Sequence, residues 1–130
     1  MQPRRLQTPK NLVEQWDTVF TALSEEPRRQ LVASLSDADR DASVSLPLAS
    51  MSPTIGPDAE TLTIELYHQH LPLLARHGFV EWDEEKDRAW RGPNFTQVEI
   101  VMNLLQQNAV VLPDSLVYGC QRLERERRNA

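Results

Sequence analysis

The chain has 130 residues, of which 40% are hydrophobic and 25% are charged, and its formal net charge at pH 7 is −5. This composition is typical of a globular protein and excludes global disorder, and no apolar run approaches the roughly 20 residues that cross a bilayer. The single cysteine, Cys120, excludes an internal disulfide framework and a cysteine-based zinc finger. We therefore expect a soluble protein without a membrane partner, located by default in the cytoplasm.

Charge is distributed unevenly along the chain. Three basic residues give residues 1–10 a charge of +3, four arginines and two glutamates give residues 121–130 a charge of +2, and residues 11–120 must therefore carry −10 to reach the total of −5. Residues 1–10 are expected to form a flexible basic arm, and they lack the apolar stretch of a secretory signal. The acidic balance opposes nucleic-acid binding, but molar salt in a salt-adapted host would screen phosphate contacts and weaken that objection.

The sequence predicts two helices before a polar loop at residues 36–45. Asn11 and Glu14 form a near capping box at the start of the first helix. Five apolar residues follow at helical spacing and are expected to form one buried face: Leu12, Trp16, Val19, Phe20 and Leu23. The second helix is expected to begin after Ser24 and to tolerate Pro27 in its first turn. Its predicted buried stripe consists of Leu31, Val32 and Leu35.

Residues 59–77 predict a long helix that Gly78 ends. At about 100° per residue, two apolar stripes cover most of its circumference. The first contains Ile64, Tyr67, Leu71 and Leu74, and the second contains Leu62, Leu66 and Leu73. One polar arc remains, formed by Thr61, Glu65, His68, Gln69, Pro72 and Arg76. Pro72 is expected to bend the helix, because it lacks a backbone donor.

The pattern after Gly78 changes from helical spacing to alternation. Residues 79–83 and 88–92 predict a β-hairpin, and capping residues at 96–99 begin further helices. Helix, helix, helix and hairpin follow one another in the winged-helix order. The predicted fold is therefore mainly α with a small β-hairpin wing: a winged helix-turn-helix domain at residues 11–93, followed by C-terminal helices at residues 94–130 as a dimerisation element.

The end of the long helix and the first hairpin strand carry a family resemblance. His70-Leu71-x-x-Leu74-x-x-x-Gly78-Phe79-Val80 resembles the H-L-x-x-L-x-x-x-G-L-V signature of ArsR-type winged helices. With Pro27-Arg28-Arg29 and Gly78-Phe79-Val80-Glu81-Trp82-Asp83, the chain also resembles a family of small, largely uncharacterised haloarchaeal winged-helix proteins over about residues 12–92. The resemblance implies a winged-helix fold and transcriptional regulation, although Leu73 stands where that family has lysine.

Five residues of the polar arc are candidates for contact with bases in the major groove of double-stranded DNA: Thr61, Glu65, His68, Gln69 and Arg76. Arginine reads guanine and glutamine reads adenine through paired hydrogen bonds, and a helix fits the width of the groove. The alternative is that the arc is only a solvated helix face. Lys86 and Arg88 in the hairpin, and Arg28 and Arg29 in the second helix, are candidates for phosphate contacts. Their alternatives are a solvated turn and an exposed structural pair.

The histidines do not predict a metal site. His68 and His70 diverge by about 160° on a helix, and His70 and His77 are two turns apart, about 10 Å along the axis. No nucleophile–base pair, phosphate loop or carboxylate dyad is present in the sequence. We therefore expect neither a cofactor nor enzymatic activity.

The C-terminal helices carry more apolar residues than a winged helix needs. They predict a homodimer whose interface includes Val101, Leu105, Leu116 and Leu123. The alternative is that these helices pack back on their own domain. The leading functional hypothesis is a dimeric, sequence-specific DNA-binding regulator, and the alternative is a protein–protein interaction adaptor on the same scaffold, favoured by the acidic surface.

Overall fold

The computed structural model describes residues 9–52 and 56–130 of the chain. Helix α1 spans Pro9–Ala22 and helix α2 spans Glu26–Asp37. Pro27 lies in the first turn of α2, where the missing backbone N–H is not needed. Of the predicted basic arm, residues 1–8 lie outside the described residues, and residues 9 and 10 already belong to α1.

The next segment contains a short strand and a long, composite helix. Strand β1 spans Val44–Ser45, and a 3₁₀ turn spans Leu48–Ser50. A helix then runs without a break through three stretches, which we call together the composite helix: α3 (Ala59–Glu65), a π-helical turn (Leu66–His70) and α4 (Leu71–Arg76). It ends at Gly78, whose φ of 75° suits glycine. The prediction of a helix over residues 59–77 is therefore confirmed.

The predicted β-hairpin is also confirmed. Strands β2 (Val80–Asp83) and β3 (Arg88–Arg91) pair antiparallel, with Val80 opposite Arg91 and Asp83 opposite Arg88. Strand β1 adds to the other side of β3, with Val44 opposite Ala89, so that the sheet order is β1-β3-β2. The sequence did not predict β1, because two residues among polar neighbours carry no alternation.

Three helices complete the chain: α5 (Phe95–Gln107), α6 (Asp114–Val117) and α7 (Gln121–Arg128). Helix α5 packs against α2 and α1, and α7 packs against α5 and α2. Their buried side chains belong to the same core as those of α2 and the composite helix. The described chain is therefore mainly helical with one small three-stranded sheet. In its described ranges, no helix has the length and apolar character needed to cross a membrane.

The π-helical turn decides which side chains of the composite helix are buried. Leu66 and Leu71 are five residues apart and are both fully buried, whereas an uninterrupted α-helix would place them about 140° apart. The turn accommodates the extra residue with a hydrogen bond from the N–H of Leu71 to the carbonyl of Leu66, immediately before Pro72. As a consequence, the predicted apolar stripe is wrong at Ile64, which is 58% exposed. His70, four residues after Leu66 and four before Leu74, is buried with them.

Candidate functional site

The polar arc of the composite helix lies largely on the surface. Thr61, His68, Gln69 and Arg76 are exposed, and Glu65 is half-buried. At the start of the helix, the carboxylate of Asp58 accepts a hydrogen bond from the backbone N–H of Thr61 over 2.8 Å. This hydrogen bond holds the pKa of Asp58 below its ordinary value. The predicted arc is thus present as a solvent-facing stripe on a capped helix.

Arg28 is buried, whereas the sequence analysis expected it to be exposed. Its side chain is only 2% exposed, and its guanidinium donates to the carbonyls of Ala22 (3.0 Å) and Thr21 (2.9 Å) and to the hydroxyl of Ser24 (3.0 Å). The expectation of an exposed Arg28 that could contact phosphate is therefore wrong. The arginine instead satisfies the last carbonyls of α1, which have no partner within that helix.

The same guanidinium reaches the composite helix. Nη1 of Arg28 lies 2.8 Å from Nδ1 of His70, and because arginine can only donate, Nδ1 accepts and the proton of the neutral ring is on Nε2. Nε2 faces Oε1 of Glu65 at 4.0 Å. Burial, and then the nearby charge of Arg28, lower the pKa of His70. The histidine is therefore a neutral structural group, and Glu65 is turned toward it.

Arg29 is also occupied within the chain. Its Nη1 donates to the carbonyl of Leu23 over 2.8 Å, and its Nη2 lies 3.2 Å from both the carboxylate of Glu26 and the carbonyl of Gly119. These contacts connect α2 to the end of α1 and to the segment before α7. For Arg28 and Arg29 the sequence left two alternatives, phosphate contact or a structural role. Arg29 matches the structural role, although its side chain remains partly exposed.

Arg88, the first residue of β3, also makes contacts within the chain. All three side-chain nitrogens of Arg88 donate to β1 and the residue before it: Nε to the hydroxyl of Ser43, Nη1 to the hydroxyl of Ser45 (3.0 Å) and Nη2 to the carbonyl of Ser43 (3.0 Å). The guanidinium therefore fastens β1 to β3. Lys86, in the turn between β2 and β3, is exposed.

The hairpin is braced against the composite helix by Tyr67. Its ring stacks on Trp82 with centroids 5.3 Å apart, and its hydroxyl donates to the carboxylate of Asp87. Burial and this carboxylate raise the pKa of Tyr67 above its ordinary value. Sequence analysis placed Tyr67 in an apolar stripe. The sequence feature that could have indicated this contact is the hydroxyl of Tyr67, because a tyrosine whose ring is packed needs a hydrogen-bond partner for its hydroxyl.

The four residues predicted to form the dimer interface come together on one apolar groove. Val101 and Leu105 of α5, Leu116 and Leu123 all line a cavity of about 330 Å³. Leu116 is exposed at its edge, whereas Leu123 is buried. Leu123 belongs to the core of its own chain while it also lines this cavity, and its part in a dimer interface stays a prediction.

No metal-binding cluster is found within residues 9–52 and 56–130, where no group of three or more His, Cys, Asp or Glu could hold an ion. His68 and His70 point to opposite environments, one exposed and one buried. Cys120 is a buried, free cysteine.

Comparison with known proteins finds one relationship. Residues 20–89, more than half of the chain, match the family described as a domain of unknown function (DUF7344). The matched region contains α2, the composite helix and β2, and it ends within β3, before α5. No curated protein and no solved structure matches the chain.

Proposed function

Given that the chain belongs to the DUF7344 family, whose description assigns no function, we propose from its geometry that it is a cytoplasmic DNA-binding regulator with a winged-helix domain. The proposal includes no catalytic activity and no cofactor. The observation that carries it is the exposed polar arc on a helix whose opposite side packs into the core, directly before a hairpin that Tyr67 braces against that helix.

The order of elements supports a winged helix-turn-helix. Helix α2, strand β1, the turn Leu48–Ser50, the composite helix and the hairpin follow one another, with the sheet order β1-β3-β2. In this proposal α2 is the first helix, the 3₁₀ turn replaces the second, and the composite helix is the recognition helix. The resemblance of residues 70–80 to ArsR-type proteins, and of the longer segment to haloarchaeal winged-helix proteins, favours the same assignment.

The arc has dimensions that suit base recognition. Gln69 and Arg76 are seven residues apart, about 10 Å along the helix axis, which corresponds to about three base-pair steps. A helix of about 10–12 Å diameter fits the major groove, where glutamine pairs with adenine and arginine with guanine. In the described structure, Gln69 Nε2 donates to Oε2 of Glu25 over 3.3 Å, a surface contact that a base edge could replace.

The internal contacts of Arg28, Arg29 and Arg88 leave Arg76 and Lys86 as the predicted DNA-contacting cations on the surface, and residues 1–10 add three positive charges. If these five alone contact phosphates, the logarithm of the binding constant should fall with the logarithm of salt concentration with a slope of about −4.5 per chain. A shallow salt dependence is therefore part of the proposal.

The test is a binding assay on a library of DNA fragments across a stated salt series. Gln69→Ala and Arg76→Ala should each weaken specific binding by about 1–3 kcal/mol and blur the preference at one or two base positions. Lys86→Ala should weaken binding to all sequences alike and reduce the salt slope by about one. Gln97→Ala, an exposed glutamine on α5, is the matched control and should change nothing. A wild-type protein without preference among fragments at low salt would exclude the regulator.

A protein–protein adaptor is the second candidate, and two observations favour it. Four carboxylates surround Lys86 in the hairpin, those of Asp83, Glu84, Glu85 and Asp87. The exposed Ile64 lies beside the arc, about 40° from His68 on the helix. An acidic hairpin turn suits a basic protein surface, and an exposed isoleucine offers such a partner apolar contact area. Ile64→Ser would abolish binding to such a partner, whereas it would leave the salt slope of DNA binding unchanged.

A further inference from the structure

The outer face of the small sheet carries a half-buried tryptophan. Side chains alternate along β3, and Ala89 is fully buried, so Trp90 points to the opposite side, away from the core. Glu81 lies directly opposite Trp90 on β2 and therefore shares that face. Within residues 9–52 and 56–130, the aromatic contacts join other rings and leave the Trp90 indole without a stacking partner.

A turn before β1 completes a cavity around this indole. The N–H of Ala42 donates to the carbonyl of Asp39 over 2.9 Å, which places Arg40 and Asp41 at the corner of a hydrogen-bonded turn. The pairing of β1 with β3 holds this turn beside Trp90. The resulting cavity has a volume of about 400 Å³ and is lined by Arg40, Asp41, Glu81, Trp90 and Arg91.

Arg91 forms a fixed wall of the cavity, and its charge is already balanced. Its Nη2 donates to the carbonyls of Leu35 and Ala38 over 3.0 Å each, and its Nη1 lies 3.5 Å from Oε2 of Glu99. The guanidinium also lies over the ring of Phe95, 5.0 Å from the ring centroid. Arg91 therefore shapes the cavity but offers a ligand no uncompensated charge.

The other three charged side chains of the cavity are free to bind a ligand. Arg40, Asp41 and Glu81 are exposed, and their side chains make no hydrogen bond or ion pair in the part of the chain that the structure describes. One is a cation and two are anions, so the cavity presents both signs of charge beside an aromatic ring. A ligand that carries both an ammonium and a carboxylate matches all of these groups.

We propose that this cavity, which we call the Trp90 cavity, binds a free α-amino acid. The carboxylate of the ligand accepts hydrogen bonds from the guanidinium of Arg40, and its ammonium donates to the carboxylates of Asp41 and Glu81. The side chain of the ligand packs on the indole of Trp90. This inference goes beyond the proposed function, because no lining residue of the cavity belongs to the polar arc and DNA takes no part in the test.

Arg40 favours an amino acid over a basic protein segment. An arginine or lysine side chain of a partner protein would be attracted by the two carboxylates, but Arg40, next to Asp41 in the same turn, would repel it. A free amino acid carries its two opposite charges on one carbon atom and its substituent, and so meets both signs within one small cavity. The volume also suits a small ligand, since ligand cavities range from about 300 to 1,000 Å³.

The test measures the binding of L-phenylalanine through the fluorescence of Trp90. Trp16→Phe and Trp82→Phe remove the other two of the three tryptophans. Trp16 in particular would add signal from solvent, because it is 61% exposed on α1, where the sequence wrongly predicts a buried face. In low-salt buffer, phenylalanine should change the Trp90 fluorescence saturably. The expected dissociation constant is on the order of 1 mM, because about a dozen heavy atoms in an open cavity give only modest affinity.

Two analogues and two variants separate the charged ends of the ligand. L-phenylalanine amide lacks the carboxylate and N-acetyl-L-phenylalanine lacks the ammonium, so each should bind at least about tenfold more weakly than phenylalanine. Arg40→Gln should weaken phenylalanine binding at least about tenfold without weakening that of the amide further. Glu81→Gln should do the same without weakening that of the N-acetyl derivative further. Arg128→Gln and Glu60→Gln, at exposed positions outside the cavity, are the matched controls and should change neither.

Two further measurements keep the test decisive. Circular dichroism must show that each variant keeps the helical content of the wild type. Ligand-observed saturation-transfer NMR repeats the phenylalanine titration on the unmodified chain, with all three tryptophans in place. The absence of saturable binding in both titrations would overturn the proposal. So would an amide that binds as tightly as phenylalanine, the result expected of a site for basic protein segments, or an N-acetyl derivative that does, the result expected of a simple anion site.

Discussion

Arg28 and His70 connect two helices through one hydrogen bond of 2.8 Å between Nη1 and Nδ1, although 42 residues separate them in the chain. The same guanidinium donates hydrogen bonds to the carbonyls of Thr21 and Ala22 at the end of α1. The end of α1, the start of α2 and the π-helical turn of the composite helix therefore meet at a single buried cation. This junction positions the helix that carries the polar arc.

Arg28→Met should strongly destabilise the protein. The substitution keeps the aliphatic stem but removes four hydrogen bonds, among them those to the buried carbonyl of Ala22 and to Nδ1 of His70, which should lower the free energy of unfolding by about 2–4 kcal/mol. The free energy of unfolding is measured by urea denaturation, with circular dichroism as the signal. Arg76→Ala, at an exposed arginine on the same composite helix, should stay within about 0.5 kcal/mol of the wild type. Equal effects of the two substitutions would show that Arg28 has no special structural role.

His70 should make stability depend on pH. Because burial and the charge of Arg28 lower its pKa in the folded state below the value of about 6.5 expected in the unfolded chain, the unfolded state binds more protons between these two values. The contribution of His70 to stability is thus present above about pH 6.5 and is lost as the pH falls toward the folded-state pKa. The charged groups that face the ring are Arg28, Glu25 and Glu65.

His70→Gln isolates this effect. The glutamine amide oxygen can still accept from Arg28, but it does not titrate. Urea denaturation of both proteins between pH 7.5 and pH 5 should show that the stability advantage of the wild type shrinks as the pH falls. Parallel pH profiles for the two proteins would contradict the assignment of His70 as a neutral buried acceptor.

Gly92→Ala should disrupt the junction between the composite helix and the sheet. A Cβ atom at this position would lie 2.4 Å from the carbonyl oxygen of Gly78 and 2.8 Å from the backbone nitrogen of Val80. Both neighbours are backbone atoms, and the carbonyl of Gly78 also accepts a hydrogen bond from the N–H of Asn94, so relief requires the strand to shift. We expect a loss of about 1–3 kcal/mol in thermal or urea unfolding.

Gly119→Ala is the matched control for this substitution. The nearest atom to a Cβ at Gly119 is 3.6 Å away, which is ordinary contact distance. Its stability should match that of the wild type or exceed it slightly, because alanine restricts the unfolded chain. If both alanines were tolerated equally, the close approach of Gly92 to Gly78 would not constrain the hairpin.

Local patterns predicted much of the fold. Helical spacing, the cap at Gly78 and the change to alternation after it placed the composite helix and the hairpin within one or two residues of their observed bounds. The exposed positions Thr61, His68, Gln69 and Arg76 followed from the same spacing. These features depend on residues within a few positions of one another, which is why the sequence carries them directly.

Where local spacing was disturbed, the prediction failed. One extra residue in the π-helical turn changed which side of the helix faces the core and left Ile64 exposed, and nothing in the apolar pattern marks that insertion. Pro72 was the available signal, since a residue without a backbone donor disturbs the preceding turn. It predicted a distortion but not its form.

The sequence by itself determined the composite helix, the hairpin and the stripe of the composite helix that faces solvent. Only the tertiary structure decided which arginines remain available on the surface and which apolar faces remain uncovered. Arg28 and Arg88 are paired with groups 42 and 45 residues away, and the exposure of Trp16 depends on how little of α1 the later helix α5 covers. Burial is a property of distant contacts, and a charged or aromatic side chain has the same local sequence signal whether those contacts form or not.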